Sequence, residues 1–303
     1  MTVWDSIRPL KKSTSIALGV FDGVHIGHQA VIGEAVNGVE HGLLPIVFTF
    51  NMESQKPYNK LDQSIILTER VKLKKFEELG VDTALSIQFE EVKDQTPEDF
   101  VKEILINTLS AKRIVCGFDF RFGKNAAGTP ALLQKLCEEA GVTLVVVPPM
   151  MEGGEPVSST RIRTCLQEGS IVAANDLLGY DYTIELKVID GFKNGRRLGF
   201  PTINQAFEKD QLVPRYGVYA SRVTVDGKTY GGVTNVGVKP TVHGKRSPLA
   251  ETFIIGLDAD LYGKYVSVSL LEFLREERKF SSMEELAETV RQNIETVSRS
   301  IVI

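Results

Sequence analysis

Over residues 1–150, short apolar runs alternate with segments of helical spacing, and this alternation restricts the fold more than any other property of the chain. The runs Ile16–Gly19, Leu44–Phe50, Thr83–Ile87, Arg113–Cys116 and Val142–Val147 read as strands. Between them, Thr68 to Gly80 has helical apolar spacing and a glycine stop. Thr96-Pro-Glu-Asp-Phe100 offers an N-cap threonine, proline at the first helical position and acids in the first turn. Strands that alternate with helices imply a parallel sheet covered on both faces. Ligands of such sheets sit at the carboxyl ends of strands, near a topological switch.

One strand end carries unusual chemistry. Gly19-Val-Phe-Asp-Gly-Val-His-Ile-Gly-His28 follows the apolar run beginning at Ser15 and leads into a helical segment, Gly27 to about Glu40. A strand that breaks on glycine and opens a helix leaves backbone N–H groups pointing outward, and the helix dipole adds roughly 0.3–1 kcal/mol of attraction for an anion. His25 and His28, three residues apart at the helix entry, can face one phosphate together. Asp22 either orients a histidine, meets a metal or caps the turn. The glycine spacing is not that of a dinucleotide fingerprint, and no Gly-Lys-Ser/Thr closes it as in a Walker loop. At Val157-Ser-Ser-Thr-Arg-Ile-Arg163, Ser158 or Ser159 opens a helix to about Gln167, which reads either as a second phosphate cradle or as a plain N-cap with two solvated arginines. In Gly117-Phe-Asp-Phe-Arg-Phe-Gly123 the three phenylalanines either serve a ligand or simply alternate across a strand end.

The texture changes after Gly179. Ile184–Ile189, Val218–Val223, Tyr230–Val236, Glu251–Leu257 and Tyr265–Leu270 read as strands, and Asp226-Gly227 is the signature of a tight hairpin. An antiparallel sheet or small barrel is expected there, closed by a helix from Ser281 or Ser282 to about Arg299 with a capping box. The glycines and cations from Gly191 to Gly199 form a flexible basic loop suited to phosphates. The boundary is placed near residues 179–183, and a length of 303 residues fits two domains. The net charge of −4 argues against sequence-blind nucleic-acid binding. Cys116, Cys137 and Cys165 are scattered and outside metal-ligand spacing, which reads as buried cytosolic thiols. No apolar signal core opens the chain, and no run approaches the roughly 18 apolar residues of a membrane span. The expectation is a cytoplasmic protein without nucleic-acid or membrane partners, monomeric or transiently oligomeric.

Taken in order, these motifs resemble the bacterial bifunctional riboflavin kinase/FAD synthetase family. The resemblance rests on Gly19–His28, Thr68-Glu-Arg70, Leu79-Gly-Val-Asp82, Cys116–Gly123 and Val157–Arg163 in the first half. In the second half it rests on Gly195-Arg-Arg-Leu-Gly-Phe-Pro-Thr-Ile-Asn204, Tyr216-Gly-Val-Tyr219, Asn235-Val-Gly-Val-Lys-Pro-Thr241, Glu251 and Asp260-Leu-Tyr-Gly263. It implies a nucleotidyltransferase-type doubly wound α/β domain over residues 1–180, acting as FMN adenylyltransferase. It also implies a six-stranded antiparallel β-barrel with a C-terminal helix over residues 181–303, acting as riboflavin kinase. The substrates implied are riboflavin, FMN and ATP, with Mg²⁺, and the product is FAD.

The resemblance further implies roles for single residues. His25 and His28 are catalytic at the ATP phosphates, with Gly19, Phe21, Asp22, Gly27, Ser159, Thr160 and Arg163 around the nucleotide. Asn51, Asp119 and Phe120 fall on the flavin side, where Thr49-Phe-Asn-Met-Glu-Ser54 departs from the family's Thr-Phe-Asp/Glu-Pro type of segment. In the second module Glu251 is the base, Thr202 and Asn204 hold Mg²⁺, and Gly191, Gly195, Arg196 and Gly199 contact ATP. The alternative left open is a monofunctional FMN adenylyltransferase whose second module is weakly active or only binds flavin.

Overall fold

The computed structural model describes residues 1–54, 56–57, 62–191, 199–240 and 246–300. The chain divides into two compact units, Met1–Ser159 and Thr160–Ile303.

In the first unit, six parallel strands form one sheet in the order β1-β4-β3-β2-β5-β6. They are β1 (Thr2–Trp4), β2 (Thr14–Leu18), β3 (Leu44–Phe50), β4 (Thr83–Ile87), β5 (Ala111–Gly117) and β6 (Thr143–Val147). The helices are α1 (Ile26–Val36), α2 (Glu69–Glu78), α3 (Pro97–Asp99) running into a π-helix, Phe100–Thr108, and α4 (Pro130–Ala140). Side chains alternate across a strand, so Ile16 and Leu18 join a core with Val101, Leu105 and Leu133, while Ser15 and Ala17 are buried on the opposite face, the side on which α1 crosses β2, β3 and β5. Both faces are therefore dry, as the apolar runs require. From β2 the chain adds β3 and β4 on one side and later β5 and β6 on the other. The topological switch thus falls between β2 and β5, and the loop leaving β2 carries the histidines. A small hairpin, β7 (Met151–Glu152) and β8 (Glu155–Pro156), follows.

The start of α3 follows the cap foreseen. Thr96 Oγ1 accepts the Asp99 N–H at 3.1 Å, with Pro97 at the first helical position. Helix α2 is different: Thr68 makes no cap bond, and the Glu69 N–H is taken by Glu53 Oε1 at 2.7 Å.

The second unit contains α5 (Ser159–Glu168, whose first residue ends the first unit), α6 (Ile171–Leu178) and a closed barrel. The barrel order is β10-β13-β12-β11-β14-β9, all pairs antiparallel. Its strands are β9 (Thr183–Ile189), β10 (Thr202–Ala206), β11 (Gly217–Val225), β12 (Lys228–Pro240), β13 (Arg246–Ile254) and β14 (Tyr265–Arg275). Asp226 and Gly227 both have positive φ, 48° and 79°, which is the two-residue turn that matches strand twist. On one face of the barrel wall, Ser221, Thr234 and Thr252 form a fully buried hydroxyl chain at 2.7 and 2.9 Å. On the other face, Val218, Ala220 and Val233 pack against Val297 of α7 (Met283–Ser300). That helix opens as a reciprocal cap: Ser282 Oγ accepts the Glu285 N–H at 3.1 Å and Glu285 Oε2 accepts the Ser281 N–H at 2.9 Å.

The sequence reading missed β1, the β7–β8 hairpin, β10 and α6. Strand β10, Thr-Ile-Asn-Gln-Ala, is short and contains residues depleted in strands. It is a strand because β13 and β9 flank it and supply its ladder partners. The expected strand Glu251–Leu257 begins earlier, at Arg246, which places Glu251 mid-strand.

Candidate functional site

The loop after β2 is a strained, buried turn. Phe21 and Val24 have φ of 53° and 35°, unusual for residues with a Cβ, and Gly23 has φ of 87°. A Cβ on Gly19 would stand 2.8 Å from the Phe21 ring, so glycine there lets that ring fold back. Asp22 is 5 % exposed, and its Oδ1 accepts the Ile66 N–H at 2.9 Å. Ser159 Oγ donates to the Asp22 carbonyl at 2.8 Å. Thr49 Oγ1, at the end of β3, donates to the Val20 carbonyl at 2.8 Å. Three distant segments therefore hold the turn.

This turn presents the histidines. His25 is the N-cap of α1, and its Nδ1 accepts the His28 N–H at 3.3 Å. A backbone N–H can only donate, so Nδ1 carries no proton and the proton of the neutral ring is on Nε2. Burial lowers the His25 pKa from 6.5 to about 4, so the ring is neutral at neutral pH. The His25 and His28 rings stack with centroids 3.6 Å apart, and Phe21 meets His28 edge-on at 5.3 Å. A Cβ on Gly27 would stand 3.2 Å from the His25 ring, which is why the helix has glycine at this position. His28 is partly exposed where His25 is buried. The pair is a stacked unit with a buried inner ring and a more accessible outer ring.

Of the other residues singled out in this module, Ser159 is brought to the histidine loop. Thr160 and Arg163 follow it on α5, with Thr160 exposed and Arg163 buried, one turn from Ser159. Asn51 shapes its own loop: its Oδ1 accepts the N–H groups of Glu53 and Ser54, each at 3.1 Å. Asp119 is exposed after β5, and Phe120 stacks on Phe122 with centroids 5.6 Å apart. Phe122 pairs with Gly128 and packs on Phe100, so the phenylalanines do not continue β5. Cys116 and Cys137 are buried, and burial pushes the Cys116 thiol up to about 12. A cleft of about 710 Å³ lined by Met1, Lys12, Leu44, Pro45, Glu77 and Asp82 lies at the amino ends of β3 and β4, the end of the sheet away from the histidines.

In the second unit, ladder register builds a different site. Asn204 on β10 lies directly opposite Glu251 on β13, which lies directly opposite Asn235 on β12. Residues paired this way share a face, and Thr202 shares it with Asn204 by two-residue alternation. Glu251 is one position from the hydroxyl chain's Thr252 and so belongs to the opposite face of the wall. Asn235 Nδ2 donates to Glu277 Oε1 at 3.1 Å. A Cβ on Gly191 would run into the Asn204 amide, so this position needs glycine. Gly199 has φ of 81°. Gly195 and Arg196, with Lys193 and Arg197, lie outside the described residues.

Two family models match the chain in tandem: FAD synthetase over residues 7–161 and riboflavin kinase over residues 178–301. A bifunctional riboflavin kinase/FMN adenylyltransferase of Bacillus subtilis is 36 % identical over 294 residues, covering 95 % of this chain and 92 % of that protein. The one from Escherichia coli K12 is 35 % identical over 275 residues, covering 89 % and 87 %. The chain belongs to the bifunctional riboflavin kinase/FMN adenylyltransferase family. A crystal structure described as a macrolide-efflux protein from Streptococcus pneumoniae has the same fold throughout, with a TM-score of 0.85, 27 % identity and full coverage of both chains. Among the described residues no helix is long and apolar enough to cross a membrane.

Both modules of the family are thus present, which favours the bifunctional reading over the monofunctional one. The sequence reading did not single out Asn235 or Glu277 as site residues, although the Asn235 motif contributed to the resemblance. A family pattern carries no register, and only the β12–β13 ladder sets Asn235 beside Glu251. Nor did it separate Gly19 and Phe21, which support the turn, from His25 and His28, which it presents.

Proposed function

We propose that the chain makes FAD in two steps at two sites: riboflavin and ATP give FMN and ADP at the barrel, and FMN and a second ATP give FAD and pyrophosphate at the histidine loop. The observation that carries the reading is the His25–His28 pair at the carboxyl end of β2, next to the topological switch of a parallel sheet. Residues 1–180 are assigned to adenylyl transfer and 181–303 to phosphorylation. The protein works in the cytoplasm on small molecules.

Adenylyl transfer needs no proton removed from its nucleophile, because the FMN phosphate is already anionic. The demand is for donors aimed at charge that builds on the ATP phosphates. Neutral His25 supplies Nε2–H, its other nitrogen being occupied by the His28 N–H. A neutral donor keeps its proton through the reaction. His28, stacked outside it, is the second contact. Ser159, Thr160 and Arg163 at the start of α5 bind the leaving pyrophosphate, with the helix N-terminus adding its dipole. Asp119 and Phe120 border the flavin.

Phosphorylation of riboflavin does need a base, since a hydroxyl attacks the γ-phosphorus. Glu251 takes that proton. The Thr202 hydroxyl and the Asn204 amide carbonyl are hard oxygen donors on one face, a set that suits Mg²⁺ shared with ATP phosphates. Bound there, Mg²⁺ would neutralise charge on the β- and γ-phosphates. Gly191 and Gly199 contact the ATP phosphates.

Incubation of purified protein with riboflavin, ATP and Mg²⁺, read by chromatography, tests this directly. FMN followed by FAD is expected. FAD from supplied FMN but no FMN from riboflavin would restore the monofunctional alternative, and no FAD from FMN would end the histidine assignment.

A further inference from the structure

A buried lysine stands close to the histidine loop but takes no part in the chemistry above. Lys72 on α2 is 2 % exposed, and its Nζ donates to the carbonyl of Phe50, the last residue of β3, at 2.7 Å. The same ammonium pairs with Glu69 Oε2 at 2.8 Å. The other Glu69 oxygen accepts from Ser86 Oγ on β4. Burying a charge in this way is costly unless it is paired and hydrogen-bonded, and here both conditions are met. An apolar residue would fill the position without that cost, so a structural role alone does not require a cation.

The Lys72 contact falls on the segment that leaves β3. Phe50–Ser54 is stitched to α2 twice: by Lys72 at Phe50, and by Glu53, whose carboxylate accepts the first N–H of α2 at 2.7 Å. Asn51 closes the turn between those points through the Glu53 and Ser54 N–H groups. The stretch held in this way is Thr49–Ser54. It adjoins the histidine loop through Thr49 Oγ1 and the Val20 carbonyl. It also carries Phe50, partly exposed and edge-on to Phe89 at 5.3 Å, an aromatic surface suited to a planar ring system.

We propose that Lys72, Glu69 and Glu53 form a positioning clasp that fixes Phe50–Ser54 as one wall of the flavin pocket, and so sets the affinity for FMN but not for ATP. This rests on the adenylyltransferase reading. The clasp makes no contact with reacting atoms. It removes the freedom of the wall before FMN arrives, so that ordering is not charged against binding.

The experiment is steady-state FAD synthesis with FMN and ATP varied separately, on the wild type, Lys72→Met, Lys72→Arg and Glu53→Ala. Lys72→Met should raise KM for FMN about tenfold or more. Its KM for ATP should stay within about twofold of the wild type, and FMN formation from riboflavin should be unchanged. Glu53→Ala should shift KM for FMN in the same direction by less, and Lys72→Arg should recover part of the loss. Glu53 is exposed, so this variant decides the matter if Lys72→Met does not fold. Equal rises in both KM values, or an unchanged KM for FMN in the folded variants, would overturn the clasp while the function stands. A wild type that makes no FAD from FMN would overturn the function and the clasp with it.

Discussion

Burial keeps the His25 ring neutral across the working range, the state its proposed role as a hydrogen-bond donor requires. The unfolded chain protonates this imidazole near 6.5, whereas the folded protein does so only near about 4. Between those values the unfolded state binds more protons, so stability falls as pH falls through the window and is complete above 6.5. The full shift corresponds to roughly 3 kcal/mol. Urea unfolding followed from pH 7 to 4 should show this decline, and His25→Gln should flatten part of it. An identical slope in the variant would mean that the ring is already charged in the folded state. The residue types were legible at this scale, but their states were not. Two histidines in a glycine-rich turn are visible in any reading. The Nδ1 contact that fixes the tautomer, and the Asp22 carboxylate spent on the Ile66 N–H, depend on backbone brought from elsewhere.

Elements position these groups through places where a side chain is missing. Gly27→Ala should favour α1 by up to about 1 kcal/mol of helix propensity. The new methyl nevertheless stands 3.2 Å from the His25 ring, so FAD formation should drop while thermal stability holds or rises. Normal activity with stability held or raised would show that the ring has room. Gly191→Ala is the counterpart in the barrel, because its Cβ meets the Asn204 amide. FMN formation should fall about tenfold or more, with FAD synthesis from supplied FMN intact. Elements were legible where they announce themselves locally. The apolar runs of β3 and β4 have their full extent in the sequence, as do the Thr96-Pro97 start and the Asp226-Gly227 turn. Strand β10 lacks such a signal, because its polar residues become a strand only between β9 and β13.

At the scale of the whole molecule, two sites built on unrelated architectures should fail separately. His28→Ala should lower FAD synthesis from FMN by ~10²–10³ and leave riboflavin phosphorylation unchanged. Glu251→Ala should abolish FMN formation and leave FAD synthesis from FMN unchanged. Either variant losing both activities while retaining its circular dichroism spectrum would defeat the assignment of one reaction to each site. The sequence alone determined the order of the modules, the parallel sheet, the antiparallel half and the identity of the chemical groups, because periodicity, caps and turns are local properties that survive without a fold. Tertiary structure alone decided which groups meet. The row Asn204–Glu251–Asn235 exists only in ladder register, the neutral His25 only in its burial, and the buried Lys72 only in its reach to the Phe50 carbonyl. Register, desolvation and long-range hydrogen bonds depend on distances through space, which residue spacing along the chain does not encode.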